Sequence, residues 1–593
     1  MQRLKQIIDS LNEKPTGQYT RLYGTYERGG IAYSIRNVTG GQVKSCKTEL
    51  KIPRDQLIGE AVIYPSDYTA AAFYIMQMFG VHAMLANDAM QQSEDNVQKG
   101  YFQVYRTGQR VLPGTFVHID REYVSIFMNI RLPMANSAYA PGAPKLEILG
   151  EARERKNNPT SYLAMKKKKQ DIASSSVKKS IISSKAVSLL LLDNLPRLTE
   201  TFIKDFSREK LAEAVELYRN QQFIRRQMKE KGLVSFIADH SHLPRKGKSD
   251  YRDTRNIVPF RSPEKMKVTF TLPNGEEISG MGISRGITIL TGDAYHGKST
   301  ILDAIEQGVY NHCLGDGREY VLTEESAMSI KAEDGRRIDH ADISFFLSAL
   351  PVEGVDPHSF TTENASGSTS QAAAVSEAVE SGCRLMLFDE DRCANNFMYK
   401  DSRMKQVIKN PSTTAFVDNA EALFKTCGIS SILVVGASGE YFRIADRVIS
   451  VDRFVPFVFE DYEKIPSPEH RISVRKRMMR TSRLRERLAR RDISIEDSET
   501  ISVGGEKIRV SDVITNPTRG QLAFAASFLW MMTAYTRTEE MPLLQRIDEM
   551  YLKISRDIRA IRQETASGLG ELEYVRREDM TAVICRMRSV DFR

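Results

Sequence analysis

An α/β fold, built on a phosphate-binding loop and flanked by an N-terminal α+β domain and a mainly helical C-terminal region, is what this sequence predicts. Three adjacent observations carry the central part. Gly286 to Gly292, GITILTG, is a short apolar, β-branched run of the kind a strand covered on both faces requires. Residues 292 to 300, GDAYHGKST, follow at once with the spacing Gly292-x-x-x-x-Gly297-Lys298-Ser299. The stretch after them, STILDAIEQGVYNHCL, has the apolar spacing of a helix. Strand, glycine-bearing loop and helix together form the P-loop template. Backbone N–H groups of Gly292, Asp293, Ala294, Tyr295, His296 and Gly297 turn inward on phosphates, Lys298 reaches the β and γ oxygens, Ser299 offers its hydroxyl to Mg²⁺, and Thr300 completes the turn. ATP with Mg²⁺ is the expected ligand.

The flanks are read in chain order. Residues 1–150 mix helical and alternating stretches, of which FVHIDREYVSIFMNIRLPM alternates as half-buried strands do. Residues 151–185 are Ser- and Lys-rich with few aliphatic side chains and read as a basic flexible insertion. Residues 186–256 read as a helical connection, with two amphipathic helices from about Leu195 and Gly232 as the stop. The nucleotide core is placed at 257–459, opening with a strand, a Pro-Asn-Gly turn and a second strand in KVTFTLPNGEEISGMGI. A basic, helical arm and a helical C-terminal domain are assigned to 460–593.

At 593 residues the chain calls for two to four domains, and 41% hydrophobic with 27% charged residues is ordinary globular composition. The longest aliphatic stretch, AVSLLLLD, is too short to cross a bilayer, so no membrane partner is expected. Six cysteines without CxxC spacing argue for a reducing compartment and against zinc. His240 to His242, HSH, lack Cys or carboxylate partners at ligand spacing, so no metal reading follows. Charge is segregated. Arg153 to Lys185 holds ten basic and two acidic residues, and Arg471 to Arg491 ten basic and one acidic, so the remainder of a chain of net charge +8 is acidic. Two concentrated basic segments on an acidic body point to RNA or another single-stranded nucleic acid, held by Lys166, Lys167, Lys168, Lys169, Lys178 and Lys179, and by Arg475, Lys476 and Arg477. A solvated tail has the same composition. Tyr162 is the one aromatic in these segments, so readout of base sequence is expected to be poor.

Two further stretches set the class of machine. In LMLFDED four apolar residues deliver Asp389 to the Mg²⁺ shell and Glu390 to the attacking water. A hydrolytic Glu there would waste ATP in a small-molecule kinase, which favours a hydrolase. Before it, ASGSTSQAAAVSEAVESGC opens an Ala-rich helix with Ser366, Gly367 and Ser368, a helix N-terminus able to take an anion. Ser366 precedes Asp389 by 23 residues, about the separation between signature turn and Walker B in ABC-type ATPases.

The strings GMGISRGITILTGDAYHGKST, GVYNHCLGDGREYVLT, KAEDGRRIDHADISFFLSALP, FTTENASGSTSQAAAVSEAVE and DEDRCANNFMYKDSRMK resemble the ABC-class ATPase family of stand-alone soluble proteins, nearly end to end. That resemblance implies an ABC-type core and a homodimer closed around ATP, in which Ser366, Gly367 and Ser368 complete the partner's nucleotide pocket and Lys298, Glu390 and Ser366 are catalytic. The insertion and basic arm are similar to what would be expected of a trypanosomatid mitochondrial member associated with RNA editing. This implies a mitochondrial matrix location and an RNA-processing complex; without that step the location reads as cytoplasmic.

The chain departs from ABC pumps in several places. Gly436 stands where a switch histidine would follow SILVV, with Ser438 and Glu440 nearby. His296 could substitute in part or merely fix the loop. Asn395 and Asn396 are candidates for cross-dimer contacts, a residue within DISFFLSALP for the sensing loop, and Phe260 or Phe270 for stacking on adenine. The function expected is an ABC-type ATPase coupling hydrolysis to binding or remodelling of RNA. Alternatives are a phosphotransferase acting on a small molecule and an assembly scaffold clamped by ATP.

Overall fold

Ile287, Thr288, Ile289 and Leu290 are all buried, as the run GITILTG requires of a strand covered on both faces. The computed structural model describes residues 1–40, 44–91, 100–136, 180–247, 251–253, 255, 257–347, 354–400, 402–408, 411–465, 471–488, 493–535, 540–556, 558–561 and 571–593. The chain divides into two units. The first is Met1–Val62, Tyr74–Arg106 and Phe116–Arg208; the second is Ile63–Phe73, Thr107–Thr115 and Glu209–Arg593.

The first unit is built on an antiparallel sheet in the order Gly24–Arg28, Ile31–Gly40, Lys44–Pro53, Tyr123–Arg131 and Tyr101–Gln103, with Val117–Ile119 also paired to Tyr123–Arg131. The alternation read in FVHIDREYVSIFMNIRLPM is thus a pair of strands. Residues 65–90 form a helix long and apolar enough to cross a membrane by length and composition, and half of its most apolar stretch is buried. Counting aliphatic runs overlooked it, because Ala, Gly and Met interrupt each run.

In the second unit two sheets frame the phosphate loop. The smaller is antiparallel: β1 (Leu233–Ala238), β2 (Lys267–Thr271), β3 (Glu277–Ser284) and, further along the chain, β5 (Val321–Thr323), in the order β2-β3-β1-β5. The turn between β2 and β3 holds Gly275 at φ +87°, as its Pro-Asn-Gly sequence demands. The larger sheet contains β4 (Ile287–Thr291), β6 (Met328–Ser329), β7 (Leu385–Asp389), β8 (Ser430–Val434), β9 (Arg447–Asp452) and β10 (Val455–Phe459), in the order β6-β7-β8-β4-β9-β10. All its pairs are parallel except β9 with β10. Helix α1 (Lys298–Gln307) follows β4, α2 (Gly367–Ser381) precedes β7, and α3 (Phe416–Cys427) precedes β8. Apolar cores lie on both faces, one including Ile289, Ala373 and Phe388, the other Leu290, Ile305 and Leu387.

The segment 107–115 is built into this unit. Arg110–Val111 pairs antiparallel with Asn311–His312. Thr115 N donates to Leu572 O at 3.0 Å, and Thr115 Oγ1 donates to Glu571 Oε2 at 2.7 Å. The basic arm is not one helix: 471–477 is irregular, Met478–Arg480 is a strand, and among its described residues only Ser482–Leu488 is helical. Beyond it, helices Arg519–Tyr535, Leu543–Arg556 and Arg577–Cys585 pack with short antiparallel strands.

Candidate nucleotide-binding site

The loop after β4 has the backbone that its glycines permit. Gly292 sits at φ +135° with Val451 O only 2.4 Å from where a Cβ would stand, and Gly297 at φ +100° caps α1; neither position accommodates a side chain. Asp293 Oδ1 accepts from Ala294 N at 2.8 Å. Tyr295, at φ +65°, is 97% exposed. Lys298 Nζ donates to Gly292 O and, at 2.8 Å, to Asp293 O, so the ammonium lies along the rim of the loop. Ser299 is exposed on the first turn of α1, and Thr300 beside it is half-buried.

His296 is tied to the β9–β10 hairpin. Its Nδ1 lies 3.1 Å from Asp452 Oδ1 and 3.3 Å from Arg453 N, and its carbonyl accepts from Phe454 N at 3.2 Å. Nδ1 serves the carboxylate only when protonated and the amide only when not. In this structure the imidazole fixes loop to hairpin.

The carboxylates arrive at the end of β7. Because β8 separates β7 from β4, the start of the loop after β8 meets both the lysine and the glutamate. Glu390 Oε2 accepts from Gly436 N at 2.6 Å and Ala437 N at 3.0 Å. A Cβ at position 436 would stand 3.7 Å from Lys298 Nζ and 4.0 Å from Glu390 Oε2. Gly436, where a switch histidine was sought, therefore contributes a backbone amide that positions the glutamate. Ser438 and Glu440 bond to one another locally, Glu440 N donating to Ser438 Oγ at 3.2 Å. Asp389 is half-buried, and burial pushes its carboxyl above the ordinary value while Arg392, 3.8 Å away, opposes that shift. An exposed hydroxyl on Ser299 and a carboxylate on Asp389 are hard oxygen donors suited to Mg²⁺, whose charge would favour the ionised carboxylate.

Ser366 is the N-cap of α2: its Oγ accepts from Thr369 N at 3.4 Å and lies 2.9 Å from Thr369 Oγ1 and 3.3 Å from Ser368 Oγ. Among the described residues the side-chain hydrogen bonds of this turn remain within it. Gly367 needs its lack of a side chain, since a Cβ would meet Asp334 Oδ1 at 3.1 Å. The helix behind is almost wholly buried. Gln371 on it accepts from Ala394 N at 2.9 Å, in the segment that follows Glu390. Asn395 and Asn396 are exposed on the next turn.

Several expectations are corrected by burial. Phe260 and Phe270 are each 2% exposed inside apolar cores, Phe270 edge-on to Phe236 at 4.9 Å, so neither offers a face to adenine. Phe454, overlooked in the sequence, is 52% exposed and its ring lies 3.0 Å from where a Gly297 Cβ would stand. Of the sensing-loop stretch, Asp342 bonds Ser344 while Ile343, Phe346 and Leu347 are core; 348–351 lie outside the described residues. Arg477 was expected to face RNA but is buried, giving its guanidinium to Glu380 at 2.7 and 3.0 Å and lying over the Phe592 ring at 4.5 Å. Arg475 and Lys476 are exposed; Lys166 to Lys169, Lys178 and Lys179 lie outside the described residues. Among the described residues no group of three or more His, Cys, Asp or Glu side chains could hold a metal ion.

A glycine-shaped loop at the end of a central parallel strand, with a carboxylate pair two strands away, defines a P-loop nucleotide-binding domain. The P-loop domain model of the ABC ATPases matches residues 207–487, and the N-terminal model of the ATPases of the ABC class matches 1–155. The two matches in tandem support membership of the ABC-class ATPase family. An uncharacterized protein of Methanocaldococcus jannaschii is 30% identical over 266 residues, a match spanning 43% of this chain and 58% of that protein.

Proposed function

We propose that this protein hydrolyses ATP, dimerises around it, and couples turnover to binding or remodelling of RNA, with mitochondrial RNA processing as the setting. Hydrolysis is supported by Glu390, whose carboxylate is oriented by the Gly436 and Ala437 amides close to Lys298. One observation carries the dimer: Ser366 is exposed, the side-chain hydrogen bonds of its turn stay within it among the described residues, and it stands at the N-terminus of a 15-residue helix. Such a terminus favours an anion, and the γ-phosphate held by a second copy is the anion that this reading supplies. The polyanion reading rests on the two basic segments of the sequence, to which Arg475 and Lys476 contribute exposed charge.

ATP turnover by the purified full chain, with and without single-stranded RNA, is the test. Turnover without an added acceptor, raised by RNA, is the expected result. A strict requirement for a small acceptor would make the protein a phosphotransferase, and tight ATP binding without turnover would make it a nucleotide-clamped scaffold.

A further inference from the structure

Beside the phosphate loop lies a cavity of about 280 Å³ that shares only Ser299 and Thr300 with the nucleotide site. One wall is the face of α1 that carries Ser299, Thr300, Asp303 and Gln307. Much of the remainder is cationic: Arg110, Arg245, Arg318 and Arg392, together with His312. None of residues 292–298 lines it, nor do Asp389 and Glu390.

The basic groups arrive from distant parts of the chain and are fixed in place. Arg110, on the inserted segment 107–115, is the cross-strand partner of His312; its Nη2 donates to Asn516 O at 2.6 Å and its Nη1 to Gln307 Oε1 at 3.4 Å. Arg245 donates to Asp316 Oδ2 at 2.6 Å, and the same oxygen lies 2.7 Å from His312 Nδ1. Arg318 donates from Nε to Leu243 O at 2.9 Å and from Nη2 to Asp303 Oδ2 at 2.8 Å.

What these bonds leave over is buried in the cavity wall. Arg318 Nη1 and His312 Nε2 are buried without a hydrogen-bond partner, on side chains 1% and 2% exposed. Three carboxylates, Asp303, Asp316 and Asp389, lie against four guanidinium groups and His312. Burial works against the charge of Arg318, Asp303 supports it, and the like charge of Arg245 opposes it again, leaving it below its ordinary value. A buried cation with an open donor is costly, and an incoming anion removes that cost.

We propose that this cavity is a second anion site, which binds a phosphomonoester while the P-loop holds its nucleotide. Planar guanidinium forks match phosphate oxygens in pairs, and a phosphate offsets the surplus of arginine. The volume is just under the range of about 300–1,000 Å³ usual for small-molecule pockets, which suits a sugar-sized phosphate. The phosphorylated end of a polynucleotide presents the same group. An occupant would touch Ser299 and Arg392, and Arg392 lies 3.8 Å from Asp389, so it would meet the neighbourhood of the Mg²⁺ site directly. The inference needs neither hydrolysis nor RNA remodelling to be correct.

The test is calorimetric titration of the full chain, loaded with a non-hydrolysable ATP analogue and Mg²⁺. The probes are ribose 5-phosphate, ribose, and a short oligoribonucleotide with and without a 5′-phosphate. Analogue occupancy is followed in parallel, so loss of nucleotide is told apart from loss of the second site. At least one phosphomonoester should bind at one per chain, at least tenfold more tightly than its unphosphorylated counterpart. Arg392→Gln and His312→Gln should each weaken it at least tenfold. Whether the sugar phosphate or the oligonucleotide binds better identifies the source of the phosphate. Simple competition with the analogue, equal affinity with and without the phosphate, or unchanged affinity in Arg392→Gln would overturn the proposal. Arg392 is half-exposed, so that variant decides the matter if His312→Gln does not fold.

Discussion

Gln371 Oε1 accepts the amide of Ala394 at 2.9 Å, joining the interior of the helix that begins at the Ser366 turn to the segment that leaves Glu390. Gln371 is fully buried, so its removal leaves that amide without a partner. Gln371→Leu should cost about 1–3 kcal/mol of stability, keep ATP affinity within about threefold, and lower ATP turnover at least tenfold. Thermal unfolding, nucleotide titration and steady-state turnover on one preparation check it. Wild-type turnover would show that the link is structural only.

Lys298→Ala should abolish nucleotide binding without lowering the melting temperature, since the ammonium contacts loop carbonyls and no core residue. Glu390→Gln retains an oxygen to accept from Gly436 N and Ala437 N, so it should fold and bind ATP while turning over about 10²–10⁴-fold more slowly. Sedimentation of Glu390→Gln with ATP should give a dimer. A monomer hydrolysing at the wild-type rate would remove both the assignment of the base and the sandwich.

Arg477→Met should cost about 3–5 kcal/mol, because Glu380 and Glu377 are buried beside it and lose a cation. Arg475→Ala and Lys476→Ala, on the surface, should each stay within about 0.5 kcal/mol. Urea unfolding of the three variants separates them. Similar losses in all would contradict the inward orientation of Arg477.

Acid should weaken the fold partly through Glu333. Burial raises its carboxyl, but Arg586 and Arg336 outweigh burial and hold it below the ordinary value. A carboxylate depressed in the folded state contributes stability that is complete above its unfolded value of about 4.3 and lost as pH falls through the folded one. Asp316 acts in the same sense through His312, Arg245 and Arg318. Unfolding free energies between pH 3 and 6 should fall less steeply in Glu333→Gln than in wild type; parallel curves would refute the assignment.

Replacing Lys166 to Lys169 with Ala should weaken binding to all RNA sequences alike. It should also reduce the slope of log K against log salt by about 0.7 for each phosphate that is no longer neutralised. Fluorescence anisotropy at several salt concentrations measures both. An unchanged slope would return the segment to the role of a solvated linker.

The loop and the carboxylate strand were legible because each is a local string whose spacing carries the chemistry. The α/β class followed from the same strings. The amides of Gly436 and Ala437 were not legible as partners of Glu390, because a backbone donor leaves no mark on residue identity; the small residues of GASG hinted only at close approach. Phe260 and Phe270 could not be told from exposed aromatics without the packing around them. Arg475, Lys476 and Arg477 read as one charge run, yet the third turns inward to Glu380. The arginine cavity was out of reach for a different reason: Arg110, Arg245, Arg318 and Arg392 come together only through the fold.

Thr115 is bound to Leu572 across 457 residues of chain. Synthesis at about 5–20 residues per second makes one roughly 20 to 90 s before the other, so the segment bearing Arg110 emerges with half of its anchorage still unmade. Until then its pairing with Asn311–His312 and the bonds of Arg110 to Gln307 and Asn516 hold it. Chains interrupted before residue 571 would therefore carry the Arg110 segment without its Thr115 anchorage.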